Sequence, residues 1–320
     1  SVLKNAKNES IDVVDTQMAE IKKDNKEILN RSYISTHTND YSNLYPSLDD
    51  PDFNIKIAEK KEFNDTKYDG TIYDIEEQAK KLCEADFELV PHQLFVRNFL
   101  SFQTPYNSLL LYHGLGTGKT CSAIATASNE FEKQGYTILW VTRTTLKNDI
   151  WKNMFDMVCN EVLRSKIDNE GLIIPSKQPK RMKLLSDSWR IRPMSYKQFS
   201  NLVSKKNNNY ERLIKINGEH DPLKKTLIIV DEAHKLYGGD LKASERPNTE
   251  VMENLISTSY KVSGNNSCKL LIMTATPFTN SPLELFSLIN LFIENDSDKI
   301  TTNKEEFKKQ LLILCLLQRH

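Results

Sequence analysis

Short apolar runs recur along the chain at Ser108–Tyr112, Thr137–Thr142, Arg190–Met194, Leu227–Val230 and Leu270–Met273. Each is an unbroken run rather than an alternation, and each is too short for an ordinary helix, so they predict strands buried on both faces. The polar stretches between them are long enough for crossover helices. Repeated strand–helix units of this kind predict an α/β domain, with a mostly parallel sheet and helices on both faces. Ligands of such sheets bind beyond the carboxyl ends of the strands, which directs attention to the residues just after each run. The polar stretches 164–189 and 204–224 read as insertions between core strands.

This texture begins near Phe87, and what precedes it differs. Ile11, Val14, Met18, Ile21 and Ile28 fall at heptad-like spacings and predict an amphipathic helix, docked on the body of the protein or on a partner helix. Residues 31–54 are rich in Ser, Asn, Asp and Thr and contain Pro46 and Pro51, so they read as an irregular linker. The pattern therefore divides the chain into an acidic, partly helical arm with its linker (1–86), an α/β domain (87–296) and a short tail (297–320).

The formal charge of zero hides a segregation. Residues 1–90 carry 12 Lys/Arg against 20 Asp/Glu, a balance of −8, and the remaining residues carry 31 against 23, a balance of +8. A basic body behind an acidic arm suits a polyanionic partner. The late apolar run Leu311–Leu317 is far short of the roughly 18 residues of a membrane span. The opening residues lack the apolar core of a secretory signal. Cys83, Cys121, Cys159, Cys268 and Cys315 are odd in number and widely spaced, with no CxxC pair. Reduced thiols are expected, with neither disulfides nor a zinc site.

The first run leads directly into HGLGTGKT, His113 to Thr120, followed by the helix-forming CSAIATA. Strand, glycine-rich turn and helix in this order make a phosphate-binding loop. Gly114, Gly116 and Gly118, with Leu115 and Thr117 between them, free the backbone to aim successive N–H groups at phosphate oxygens. The helix opening near Lys119 adds its positive end. Lys119 reaches the β- and γ-phosphates, and the Thr120 hydroxyl suits Mg²⁺. His113 stands where the strict GxxxxGKT pattern has glycine, so the loop is a variant.

The fourth run ends in DEAH, Asp231 to His234. An Asp at a strand tip facing a phosphate loop holds Mg²⁺, and Glu232 beside it is placed to take a proton from attacking water. The pair of motifs thus specifies hydrolysis of a nucleoside triphosphate rather than binding alone. The fifth run continues into TATP, whose Thr274 and Thr276 can hydrogen-bond His234 and sense the terminal phosphate.

The ordered set GxGxGKT, DEAH and TAT followed by Pro resembles motifs I, II and III of superfamily 2 helicases and translocases, over about Phe87 to Asn295. The resemblance implies a RecA-like first motor domain that binds ATP with Mg²⁺. PHQ at Pro91–Gln93 is similar to the family's adenine-recognising motif, which implies that Gln93 contacts adenine. VTRTTL is similar to motif Ia, which implies that Thr142 and Arg143 touch nucleic-acid phosphate; MSYKQF is similar to the segment that follows. TATPFTNSPLELFSLINLF resembles the Swi/Snf branch. The phosphate loop and the segment DDPDFNIKIAEKKEFND look most like helicase-type NTPases of large DNA viruses, among them the poxvirus early transcription factor.

The family hydrolyses ATP between two RecA-like domains, and the second supplies arginine fingers. About 25 residues follow Asn295. The expectation is therefore a chain cut before its second motor domain, binding ATP but turning over slowly. DNA is the expected track, with RNA as the other possibility, and the arm is the expected contact to transcription machinery. The resemblance implies a location in host cytoplasm or virion. A different class of reading is a nucleotide-switched scaffold that binds DNA or RNA polymerase without unwinding. A metabolic kinase is disfavoured, because DEAH and TAT have no role there.

Overall fold

The computed structural model describes residues 44–68, 70, 74, 76, 89–114, 116–155, 159–177, 180–181, 191, 193–238, 241–242 and 245–309. The expected arm helix at Ile11–Ile28, Leu115 and the apolar run at Leu311–Leu317 lie outside the described residues. The chain divides into two compact units, one formed by residues 1–60 with 103–105 and the other by the remainder. In the described part of the first, helix α1 (Phe53–Glu59) is preceded by a turn in which Asp50 accepts from the Lys56 ammonium at 2.6 Å. The stretch expected to be linker thus already enters a helix at Phe53.

The second unit holds a five-stranded parallel sheet: β1 (Ser108–Tyr112), β2 (Thr137–Thr142), β3 (Met194–Ser195), β4 (Thr226–Asp231) and β5 (Lys269–Thr274). Their spatial order is β1-β5-β4-β2-β3, all parallel, so every carboxyl end lies along one edge. Four of the expected strands agree with the apolar runs to within a residue at each end. For the third, Met194 pairs among the described residues of the run Arg190–Met194, and the strand continues one residue to Ser195.

The described helices are α2 (Lys61–Asn64), α3 (Pro91–Phe99), α4 (Lys119–Thr126), α5 (Lys147–Asn153), α6 (Glu161–Glu170), α7 (Tyr196–Val203), α8 (Asn208–Asn217), α9 (Thr249–Ser263) and α10 (Leu283–Asn290). Strand side chains alternate between two cores, as the period of two requires. Leu139, Val141, Ile228, Val230, Leu270 and Ile272 face one core with α7 to α10. Ile138, Trp140, Leu227, Ile229, Leu271 and Met273 face the other with α3 to α6. Both faces are therefore dry, which is why the runs are unbroken. The stretch 204–224 is more than an insertion: its Leu213 and Leu223 are fully buried in the first core. The scattered charges around them hide the amphipathic period of α8. Among the described residues, no helix is long and apolar enough to cross a membrane.

The cysteine expectation is corrected. Cys121 in α4 and Cys159 ahead of α6 form a disulfide, with Cα atoms 4.8 Å apart across a sequence separation of 38. Separation along the chain gave no hint of this, because α4 and its continuation pack beside the start of α6, where Asn129 donates to Glu161 at 2.8 Å. Cys268 is free and buried.

At the amino end of β5, away from the carboxyl edge, Lys269 is buried and donates to the Tyr106 carbonyl at 3.4 Å and to Asn107 Oδ1. Asn107 in turn donates to Glu294. Burial holds the Lys269 ammonium down from 10.5 to about 8, with Cys268 and Glu294 acting in the opposite sense. The unfolded chain then binds more protons than the native one between pH 8 and 10.5, so stability rises with pH in that window. The full effect is on the order of 3 kcal/mol. In urea titrations from pH 7 to 10, the wild type should gain on Lys269→Met by an amount approaching this; parallel curves would refute the assignment.

Candidate active site

The phosphate loop leaves β1 at Tyr112, where His113 N–H donates to the Thr274 carbonyl of β5 at 3.3 Å. Gly116 and Gly118 have φ of +79° and +77°, the region that favours glycine. Gly114, expected to need the same freedom, does not use it. Gly118 is doubly constrained, since a Cβ there would stand 2.5 Å from Gln93 Nε2. Helix α4 opens at Lys119 with Gly118 as its cap, so its unpaired N–H groups face the loop. The Lys119 ammonium donates to the carbonyls of His113 and Gly114, each at 2.9 Å.

The start of α3 braces this loop. Gln93 is buried, accepts from Val90 N–H at 3.2 Å and donates to the Gly118 carbonyl at 3.5 Å. His92 Nε2 lies 3.0 Å from the Thr117 carbonyl, and its Nδ1 lies 3.2 Å from the Tyr68 hydroxyl. A carbonyl can only accept, so the geometry assigns the proton of the neutral ring to Nε2, and Tyr68 donates to Nδ1. PHQ pointed to Gln93 alone. His92, one residue earlier, escaped notice because nothing in the sequence says it meets the loop.

Strand β4 ends on Asp231, which is buried, and its carboxylate accepts from Thr142 Oγ1 at 3.3 Å. Burial above all, then the charge of Glu232, pushes the Asp231 carboxyl up to about 6; the Thr142 hydrogen bond and the Lys119 charge act the other way. The loop and the acid stand at the same carboxyl edge of the sheet. They are not on adjacent strands, since β5 stands between β1 and β4.

Glu232 has φ 54° and ψ 46°, a left-handed backbone that costs a non-glycine residue about 1–3 kcal/mol. The Tyr196 hydroxyl bridges the Asp231 carbonyl and the Glu232 carbonyl, the second at 2.8 Å. Behind this turn, His234 Nδ1 lies 2.9 Å from Thr274 Oγ1 and 3.5 Å from Glu232 Oε2. Thr274 donates its hydroxyl proton to the Thr276 carbonyl at 2.9 Å and accepts from the Thr276 N–H at 3.1 Å. His234 Nδ1 must therefore be the donor toward Thr274. Thr274 is buried and Thr276 is exposed.

The residues expected at nucleic acid separate. Thr142 is fully buried, with its hydroxyl 3.3 Å from the Asp231 carboxylate. Thr142 is the last residue of β2, as the apolar run predicts, and its side chain turns inward. Arg143 is exposed and lines a groove with Thr144, Thr145, Ser195, Leu241 and Glu245, floored in part by Tyr196. Among the described residues no cluster of three or more His, Cys, Asp or Glu side chains could hold a metal. A Thr hydroxyl and a single Asp do fit Mg²⁺, which keeps most of its waters and takes further oxygens from substrate phosphates.

Comparison with known proteins agrees with this arrangement. The family model for the type III restriction enzyme res subunit matches residues 86–279. Two proteins of Acanthamoeba polyphaga mimivirus, named by inference as ATP-dependent RNA helicases, are 26% and 30% identical, over 91% and 78% of this chain. Nucleoside triphosphatase I of Choristoneura biennis entomopoxvirus is 26% identical over 74% of it. The chain spans only 27%, 40% and 33% of these three proteins. The match over more than half of the chain, on a parallel sheet that carries the three motifs in order, establishes that the chain belongs to the res-subunit family of superfamily 2 helicases, with relatives among the helicases and triphosphatases of large DNA viruses.

Proposed function

We propose that this chain is the ATP-binding part of a nucleic-acid-dependent ATPase motor. The observation that carries the proposal is that the phosphate loop with Lys119, after β1, and Asp231, at the end of β4, lie at the same carboxyl edge of one parallel sheet, with Glu232 beside the acid. Lys119 releases the two loop carbonyls and binds β- and γ-phosphate oxygens, while the α4 N-terminus and the glycine-rich backbone hold the rest of the phosphate chain. Thr120 and Asp231 hold Mg²⁺, which when bound offsets charge on those phosphates. Glu232 orients the attacking water and accepts its proton. His234, donating to Thr274, ties that turn to the TAT segment and so makes it responsive to the terminal phosphate. Gln93 braces Gly118 and meets the adenine edge.

The exposed Arg143 groove supports a polyanionic track, as does the basic excess of the body. DNA is the proposed track and RNA the alternative, since contacts to backbone phosphate carry no sequence information. The names of the viral relatives support a setting in viral transcription or DNA metabolism. The test is ATP binding and hydrolysis by the purified chain at low salt, with and without single-stranded DNA, duplex DNA and RNA. ATP should bind in a Mg²⁺-dependent way, turn over slowly and be stimulated by one of the polymers, less so as salt rises. A chain that binds no ATP would overturn the proposal.

A further inference from the structure

The groove lined by Arg143 and the turn bearing Glu232 are joined at two points. Thr142, whose side chain holds the Asp231 carboxylate, is the residue before Arg143. Tyr196, whose hydroxyl bridges the Asp231 and Glu232 carbonyls, follows Ser195 and itself lines the groove. Its ring is buried at the start of α7, and Ser195 caps that helix by accepting from Gln198 N–H at 3.2 Å. Lys147 on α5 donates to Gln198 at 2.9 Å, so both walls of the groove are fastened to the same helix end. Glu232 meanwhile sits in a backbone conformation that its side chain does not favour and that a neighbour must hold.

We propose that Tyr196 is a positioning residue that couples occupancy of the Arg143 groove to the placement of the Glu232 carboxylate, through its hydroxyl bridge to the Asp231 and Glu232 carbonyls. A phosphate drawn to Arg143 presses on the start of α7, and α7 carries Tyr196. A shift there reaches the Glu232 backbone through a single hydroxyl, because the two carbonyls it bridges belong to the peptide units on either side of the Glu232 Cα. Thr142 holds the Asp231 carboxylate independently of that hydroxyl, so the acid's side chain keeps its place while the Glu232 backbone moves. The coupling is thereby confined to the base and spares nucleotide affinity. This inference rests on the groove being the nucleic-acid track.

Tyr196→Phe removes the hydroxyl and keeps the ring that fills the core. The expected result is an ATP Kd within about twofold of wild type and a single-turnover hydrolysis rate lower by up to about tenfold, the scale of one net hydrogen bond. Stimulation by an oligonucleotide should be reduced along with it. A readout independent of turnover is amide hydrogen exchange with and without single-stranded oligothymidylate or oligouridylate. In wild type the oligonucleotide should slow exchange in peptides covering residues 143–150 and change it in those covering 231–236, where Lys235 N–H donates to the Glu232 carbonyl. In Tyr196→Phe the first effect should persist and the second vanish. Oligonucleotide protection at 143–150 with no change at 231–236 in wild type, or the same change in both proteins, would sink the coupling alone. Absence of any protection at 143–150 would remove the track reading and the coupling with it.

Discussion

Glu232→Gln is expected to keep ATP and lose hydrolysis. Glutamine has the same shape and can still hydrogen-bond, so the left-handed turn, the Tyr196 bridge and the contact with His234 survive the change. What disappears is the ability to take a proton. General-base catalysis contributes about 10²- to 10⁴-fold, and the single-turnover rate should fall by that amount. The Kd for ATP should stay within about twofold of wild type, measured by equilibrium titration in the presence of Mg²⁺. Hydrolysis at the wild-type rate would show that another group receives the proton.

Lys119→Ala has the complementary signature. In the structure the Lys119 ammonium is held by two carbonyls of its own loop, on His113 and Gly114. Gly114 is exposed, so its carbonyl can turn to water when the amine is removed, and the folded state loses little. The bound state loses a charge-assisted pair of hydrogen bonds to phosphate. At about 1.5–3 kcal/mol per such bond, ATP affinity should fall about 100-fold or more, with the melting temperature nearly unchanged. Titration with a fluorescent ATP analogue decides it, and a Kd within about threefold of wild type would show that Lys119 does not reach the phosphates. The two variants separate binding from chemistry, so together they locate a failure on one side of the site or the other.

The difference between Glu232 and Tyr196 illustrates how much could be read from sequence. An acidic pair at the tip of an apolar strand has few purposes, and a phosphate loop earlier in the chain narrows them further. The stretch holding Tyr196, MSYKQF, is similar to a family segment, but that likeness gives its tyrosine no role. Its hydroxyl matters only because α7 brings it 2.8 Å from a carbonyl 36 positions away in sequence. Thr142 is a similar case: the motif's likeness suggested a phosphate contact, whereas the packing at the end of β2 sets its hydroxyl 3.3 Å from the Asp231 carboxylate. His92 and the Cys121–Cys159 disulfide are likewise matters of which helices lie side by side.

The sequence by itself determined the strands, the parallel sheet, the phosphate loop and the acids at the carboxyl edge. These follow from unbroken apolar runs, from glycine spacing and from residue types whose chemistry is narrow, all of which are local in the chain. Tertiary structure alone decided the strand order that sets β5 between the loop and the acids, the core role of Leu213 and Leu223, and the hydroxyls of Thr142 and Tyr196 on the Asp231–Glu232 turn. The reason is that such contacts depend on distances across packed elements, and packing reads the shape of a whole helix or strand rather than the identity of any one residue on it.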